Sequence, residues 1–158
     1  MRFMAREDIA APIEDVLEAV TDFQSFERAL LRRGVEVTRT DTLPQPGPGM
    51  TWESRFRFRG KLREVTAELV RINCPESLEI ATESAGLHGR LTVDLVKLSP
   101  RQTRMQTVLV VKPSTMPARL LVQSMKLARG ALLKRYRKGV RKFARNLEAR
   151  LGGAPRRA

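Results

Sequence analysis

The residue types that most often carry chemistry are scarce in this chain. Among 158 residues there is one histidine, His88, and one cysteine, Cys74. His88 stands in Gly86-Leu87-His88-Gly89, where the glycines read as a turn. An imidazole can exchange protons near neutral pH. Catalysis also needs a group to orient it, and no such residue is recognisable. Cys74 precedes Pro75 in a second turn. A lone cysteine cannot close an internal disulfide, and one cysteine with one histidine makes no zinc-ligand cluster. No metal, cofactor or catalytic residue is expected.

The more telling pattern is apolar. In Trp52-Glu53-Ser54-Arg55-Phe56-Arg57-Phe58-Arg59 the residues alternate. Trp52, Ser54, Phe56 and Phe58 fall on one strand face, with Arg55, Arg57 and Arg59 on the other. That separation suits an apolar wall with a solvated back. It argues against a nucleic-acid platform, which needs aromatics and arginines on one side. Val65 and Leu69, then Val93, then Met105 and Leu109, continue the apolar face in later strands. Met116, Met125 and Leu132 add to it from a C-terminal helix, and methionine adapts to irregular guests. By a count of about 100° per residue, Arg129 falls inside the apolar stripe of that helix. A buried guanidinium requires a partner. It anchors a ligand carboxylate or phosphate, pairs with a protein carboxylate, or snorkels to the helix edge. These twelve residues are the candidate binding set for a small hydrophobic molecule.

The elements that must position them follow from periodicity. Residues 2–10 can form a strand. Ala11-Pro12-Ile13-Glu14-Asp15-Val16 reads as a helix start, with Pro12 at the first helical position and acids at the positive end of the dipole. Asp22 can cap a second short helix that turns Phe23, Phe26, Leu30 and Leu31 inward and ends at Gly34. From Val35 the period becomes alternating. Closely spaced turns then predict an antiparallel meander ending at Lys112-Pro113. Met116 to Leu151 reads as one long helix, some 50 Å at about 1.5 Å per residue. Such a length must lie across something broad or bend, near Gly130 or Gly139. Its apolar side carries Leu121, Met125, Ala128, Leu132, Tyr136, Val140, Phe143 and Leu147.

Composition bounds the class. With 42% hydrophobic and 30% charged residues the chain is of soluble, globular type. No apolar run is long enough to span a membrane, and the N-terminus lacks the apolar run of a secretory signal, so a cytoplasmic location is expected. The net charge of +13 is uneven. Residues 126–158 hold 12 basic and one acidic residue, so about 11 of the 13 belong to the last helix and tail. That face is a solvated exterior, an attraction for anionic membrane surfaces, or a weaker candidate for nucleic acid. Membrane insertion would require undocking, because the apolar stripe is expected to be committed to the sheet. Oligomeric state is not legible.

The element order, with Ile9-Ala10-Ala11-Pro12-Ile13-Glu14-Asp15-Val16 and Asp22-Phe23 near the start, resembles the START-like (SRPBCC) superfamily. The branch labelled polyketide cyclase/dehydrase is the most similar. The segment from Val65 to Leu78 and the basic-apolar last helix are similar to it as well. The resemblance covers about residues 1–150. It implies an α+β helix-grip fold: a curved antiparallel sheet of about seven strands around a long C-terminal helix, with two short helices after the first strand. One domain would span 1–151, with a flexible basic tail at 152–158. The resemblance implies a hydrophobic cavity but no single activity, since members include lipid carriers, hormone receptors and aromatase/cyclases. No catalytic motif carries over. Binding or transport of a lipid or polyketide-like ligand is the leading expectation; a cyclase-type enzyme in the same cavity is the alternative.

Overall fold

A computed structural model describes residues 1–58, 60–73 and 75–153; Arg59, Cys74 and most of the expected tail, 154–158, lie outside the described residues. The chain runs β1 (Arg2–Ile9), α1 (Ile13–Val20), α2 (Phe23–Arg32), β2 (Glu36–Arg39), β3 (Thr51–Phe58), β4 (Lys61–Asn73), β5 (Ser77–Ser84), β6 (Leu87–Ser99), β7 (Gln102–Pro113), α3 (Met116–Leu127) and α4 (Arg129–Gly153). All seven strands form one antiparallel sheet in the order β1-β7-β6-β5-β4-β3-β2. The helix-grip arrangement is therefore present. Register shifts after Leu69 in β4 and after Lys97 in β6 add local bend to the two longest strands.

Strand β1 lies at one edge and β2 at the other. The α1–α2 connection must therefore cross the sheet. Pro12 is the N-cap of α1, one position earlier than its sequence suggests, with Glu14 and Asp15 in the first turn. Asp22 caps α2 by accepting from the Ser25 N–H. Gly34 closes that helix at φ +84°.

The core is solid where α1 and the C-terminal part of α4 meet the sheet. Ile9, Val16, Leu69, Ala144 and Leu147 are all at most 2% exposed. Polar contacts fix α4 to β1. Glu148 accepts from the Ala10 N–H, and Arg145 reaches Glu7 and the Asp8 carbonyl. Gly152 and Gly153 continue α4 and do not begin a tail.

The long C-terminal helix is two helices. The break is at Ala128, two residues before Gly130 and so near one of the two glycines where a bend was expected. Thr115 caps α3 through the Ala118 N–H, and Gly86 (φ +81°) lets the β5–β6 turn pass so close to Thr115 that any side chain there would collide with it. The turn is Ala85–Gly86, so Gly89 and His88 belong to β6. Gly89 sits in a strand because a Cβ would strike the Thr82 hydroxyl on the facing strand.

Carboxylates hold the loops and edges. Asp41 accepts from Arg39 and from the Leu43 and Thr51 N–H groups, and Asp8 accepts from Arg104. The Arg39 guanidinium holds the Asp41 carboxyl well below its ordinary 3.8, and Arg104 lowers Asp8 likewise. Arg90 lowers Glu79, whose ordinary value is 4.5. Groups lowered by folding stabilise the native state fully above their unfolded values and lose that contribution as pH falls toward the folded ones. Urea midpoints should therefore be level near neutrality and decline below about pH 4.5. In D41N the decline should be shallower and the plateau lower. A midpoint unchanged between about pH 6 and pH 3 would contradict these pairings.

Candidate ligand-binding site

Between the sheet, α2 and the middle of α4 lies a cavity of about 390 Å³. Each wall comes from one element. Strands β3 to β7 contribute Trp52 and Ser54, Ala67, Leu78 and Ile80, Leu91 and Val93, and Met105 and Thr107. Helix α2 contributes Phe23, Phe26, Glu27 and Leu30, and α4 contributes Tyr136, Gly139, Val140 and Phe143. Val20 and Val37 complete the lining. These residues face inward because alternate strand positions share a face and i, i+3, i+4, i+7 positions share a helix side.

The space is open because α2 does not close down on the sheet. No residue of α2 is buried; Phe26 and Leu30 are 40% and 39% exposed, and Leu31 is 53% exposed. The inward turn expected for all four apolar residues of α2 thus holds for Phe23 but makes Phe26 and Leu30 a rim. Trp52 is the tie across the gap. Its ring packs on Phe23 at 5.3 Å between centroids, and its Nε1–H donates to Glu27 Oε1 at 2.8 Å. Phe26 stacks on Phe143 at 5.8 Å, linking α2 to α4.

Polar groups in the cavity are few. The Thr107 and Tyr136 hydroxyls are hydrogen-bonded at 2.5 Å. Burial raises the Tyr136 pKa, only partly offset by Thr107, so the phenol stays protonated. It can hold a carbonyl or hydroxyl in place, but it is no base near neutrality.

Of the twelve candidate residues, Trp52, Val93 and Met105 line the cavity. Phe56, Val65 and Leu109 are half-buried on the same sheet face without lining it: Val65 and Leu109 sit across from the wall residues Ser54 and Leu91, and Phe56 is one row beyond Ser54. Phe58, the last residue of β3, is 50% exposed. Leu69 is wholly buried in the solid core. On the helices, Met125 and Leu132 are half-buried away from the cavity, and Met116 is 68% exposed. Arg129 is exposed: it is the first residue of α4, directly after the break at Ala128.

A different arginine faces inward. Arg63 is paired with Phe56 across β3–β4, so both lie on the Trp52–Ser54 side, one row beyond Ser54–Val65. Its Nε is buried with no hydrogen-bond partner among the described residues.

His88 points the other way. It contacts Ser114 at 3.0 Å and lines a groove of about 800 Å³ on the outer sheet face. That groove is lined by Glu53, Glu68, Glu83, Arg90 and Lys112, so it is a polar, mixed-charge surface. Among the described residues no group of three or more metal-ligating side chains occurs, and no helix is long and apolar enough to cross a membrane.

Residues 2–148 match the sequence model of the family described as polyketide cyclase / dehydrase and lipid transport. No curated protein matches the chain in sequence. Solved structures match its fold. A protein from Thermus thermophilus superposes with TM-score 0.68 at 15% identity, covering 94% of this chain and 98% of that one. An aromatase/cyclase, Zhui, from a Streptomyces species gives 0.65 at 12%, covering 96% and 95%. A START superfamily protein from Mycobacterium smegmatis gives 0.55 at 14%, covering 85% and 95%. At these identities the likeness is one of fold.

Proposed function

The chain belongs to the polyketide cyclase / dehydrase and lipid transport family, and we propose that within it this protein binds and carries a small, mainly apolar molecule. The observation that supports this reading is the cavity, walled almost wholly by apolar side chains. Waters filling this space of about 390 Å³ would hydrogen-bond to one another but meet few polar groups on its walls, the Thr107–Tyr136 pair, Ser54 and Glu27. An apolar guest removes the mismatch and gains about 25 cal/mol per Å² of apolar surface buried. An enzyme would need converging acid–base groups. The Tyr136 phenol, pushed upward by burial, is the wrong kind of group for a base.

Arg63 supplies an end to the ligand. Its buried Nε, without a partner among the described residues, lies one row beyond the cavity wall at Ser54, where the anionic head of an amphiphile would pair with it. Trp52, the sole tryptophan, lines the cavity and reports occupancy by fluorescence. Titration with a medium-chain fatty acid and with the matching primary alcohol should quench or shift Trp52 emission in both cases, with the acid binding more tightly. Arg63→Met should cost the acid about tenfold in affinity and leave the alcohol unchanged, as expected for loss of one charged hydrogen bond. Equal losses for both would remove the anchoring role. No saturable response to either, with native mass spectrometry of protein from its own host finding no bound molecule, would remove the carrier reading itself.

A further inference from the structure

Helix α3 is apolar on two opposite sides. One side is committed: Ala118 and Val122 are buried against the domain, with Leu121 and Met125 half-buried beside them. On the other side Met116 is 68%, Leu120 67% and Leu127 92% exposed. At about 100° per residue these three fall within about 40° of one another, facing away from the buried side. A helix that is apolar all round is ordinarily covered all round, and an exposed apolar ridge rimmed by charge marks an interaction surface.

The rim is basic. Arg119 and Lys126 run together along one side of the ridge, and Arg129, Lys134, Arg135 and Lys138 follow as exposed residues of α4. None of these six is in an ion pair among the described residues. Between residues 95 and 147 the chain holds 14 basic residues and no acidic one. We propose that α3 docks the protein onto an anionic lipid surface, its ridge of Met116, Leu120 and Leu127 entering the headgroup layer and the flanking cations meeting the lipid phosphates. The ridge is already outside the fold, so docking needs no helix to leave the sheet. A second copy of the chain would bring +13 against +13. A nucleic-acid duplex would satisfy the cations and leave the ridge in water. An anionic bilayer takes both. This inference is independent of what the cavity holds.

Cosedimentation with vesicles of phosphatidylcholine, alone or mixed with phosphatidylglycerol, tests it on the full chain. Wild type should bind the mixed vesicles and release them in high salt, and should leave the neutral ones. L120S/L127S and K126E/R129E should each weaken binding about tenfold or more. Both should melt near the wild-type temperature, because the positions are exposed. The proposal fails if wild type does not distinguish the vesicles, or if both variants bind the mixed vesicles as wild type does. It also fails if vesicle binding is absent while K126E/R129E alone lowers affinity for a DNA duplex, or if sedimentation finds a dimer that L120S/L127S dissociates.

Discussion

Replacing Gly139 by phenylalanine is expected to raise the stability of the protein and to lower its affinity for an apolar ligand at least tenfold. Two effects that usually move together should separate. Gly139 lies inside α4 on the cavity wall, and a Cβ built there meets nothing within 4 Å. Glycine in a helix interior costs about 1 kcal/mol relative to alanine. Side chains other than proline therefore gain helix stability here without a clash at their root. A phenylalanine ring projects into the same space as Tyr136 and Phe143, one turn before and after it, and takes the volume a guest would use. The control is G139A. It should gain up to about 1 kcal/mol, or about 2–4 °C for a chain of this size, with little change in binding. If G139F binds as wild type does, the ligand sits elsewhere. If G139F is less stable than wild type, the space beside Gly139 is already filled.

That experiment depends on which row of the sheet meets α4, and here sequence reading reaches its limit. Alternation placed Trp52, Val93 and Met105 on the inner face, and all three line the cavity. It placed Phe56, Phe58 and Leu69 on that face equally well. Period two tells a residue's side but not its distance along the strand. Leu69 falls in the filled end of the sheet and Phe58 at an open hairpin. Where α4 crosses is set by long-range contacts such as Ala10 to Glu148, 138 residues apart, which no local pattern reveals.

The helices show the same division. Asp22 and Gly34 act as read, because capping is local chemistry. The break at Ala128 lies two residues before Gly130, where a bend was expected, but its sharpness, a full separation into two helices, was not legible. Arg129, the first residue after it, is exposed, and Met116 is exposed because it lies opposite Ala118 and Met125 on α3 itself. The cavity's own hydroxyl pair was missed for a related reason. Tyr136 appeared in the helical stripe and Thr107 in the strand, but only packing places their oxygens 2.5 Å apart.

The second large effect concerns Trp52. It is 8% exposed, packs on Phe23 and donates to Glu27, so one side chain joins β3 to a helix that has no buried residue of its own. Trp52→Ala should cost about 3–5 kcal/mol, the usual range for truncating a buried aromatic. Against a total stability of about 5–15 kcal/mol that is a large fraction, and the melting point should fall by about 10 °C. Circular dichroism must follow it, since the only tryptophan is gone. Trp52→Phe separates packing from the hydrogen bond. It keeps a ring against Phe23 but strands the Glu27 carboxylate, and should cost about 1–3 kcal/mol. Glu27→Gln keeps an acceptor for the indole N–H and should lie close to wild type. If Trp52→Ala melts within about 2 °C of wild type, α2 is held by other contacts and the tie across the cavity is illusory. If Trp52→Phe instead melts as wild type does but releases ligand faster, the indole hydrogen bond acts on the movement of α2 over the cavity and not on the stability of the fold.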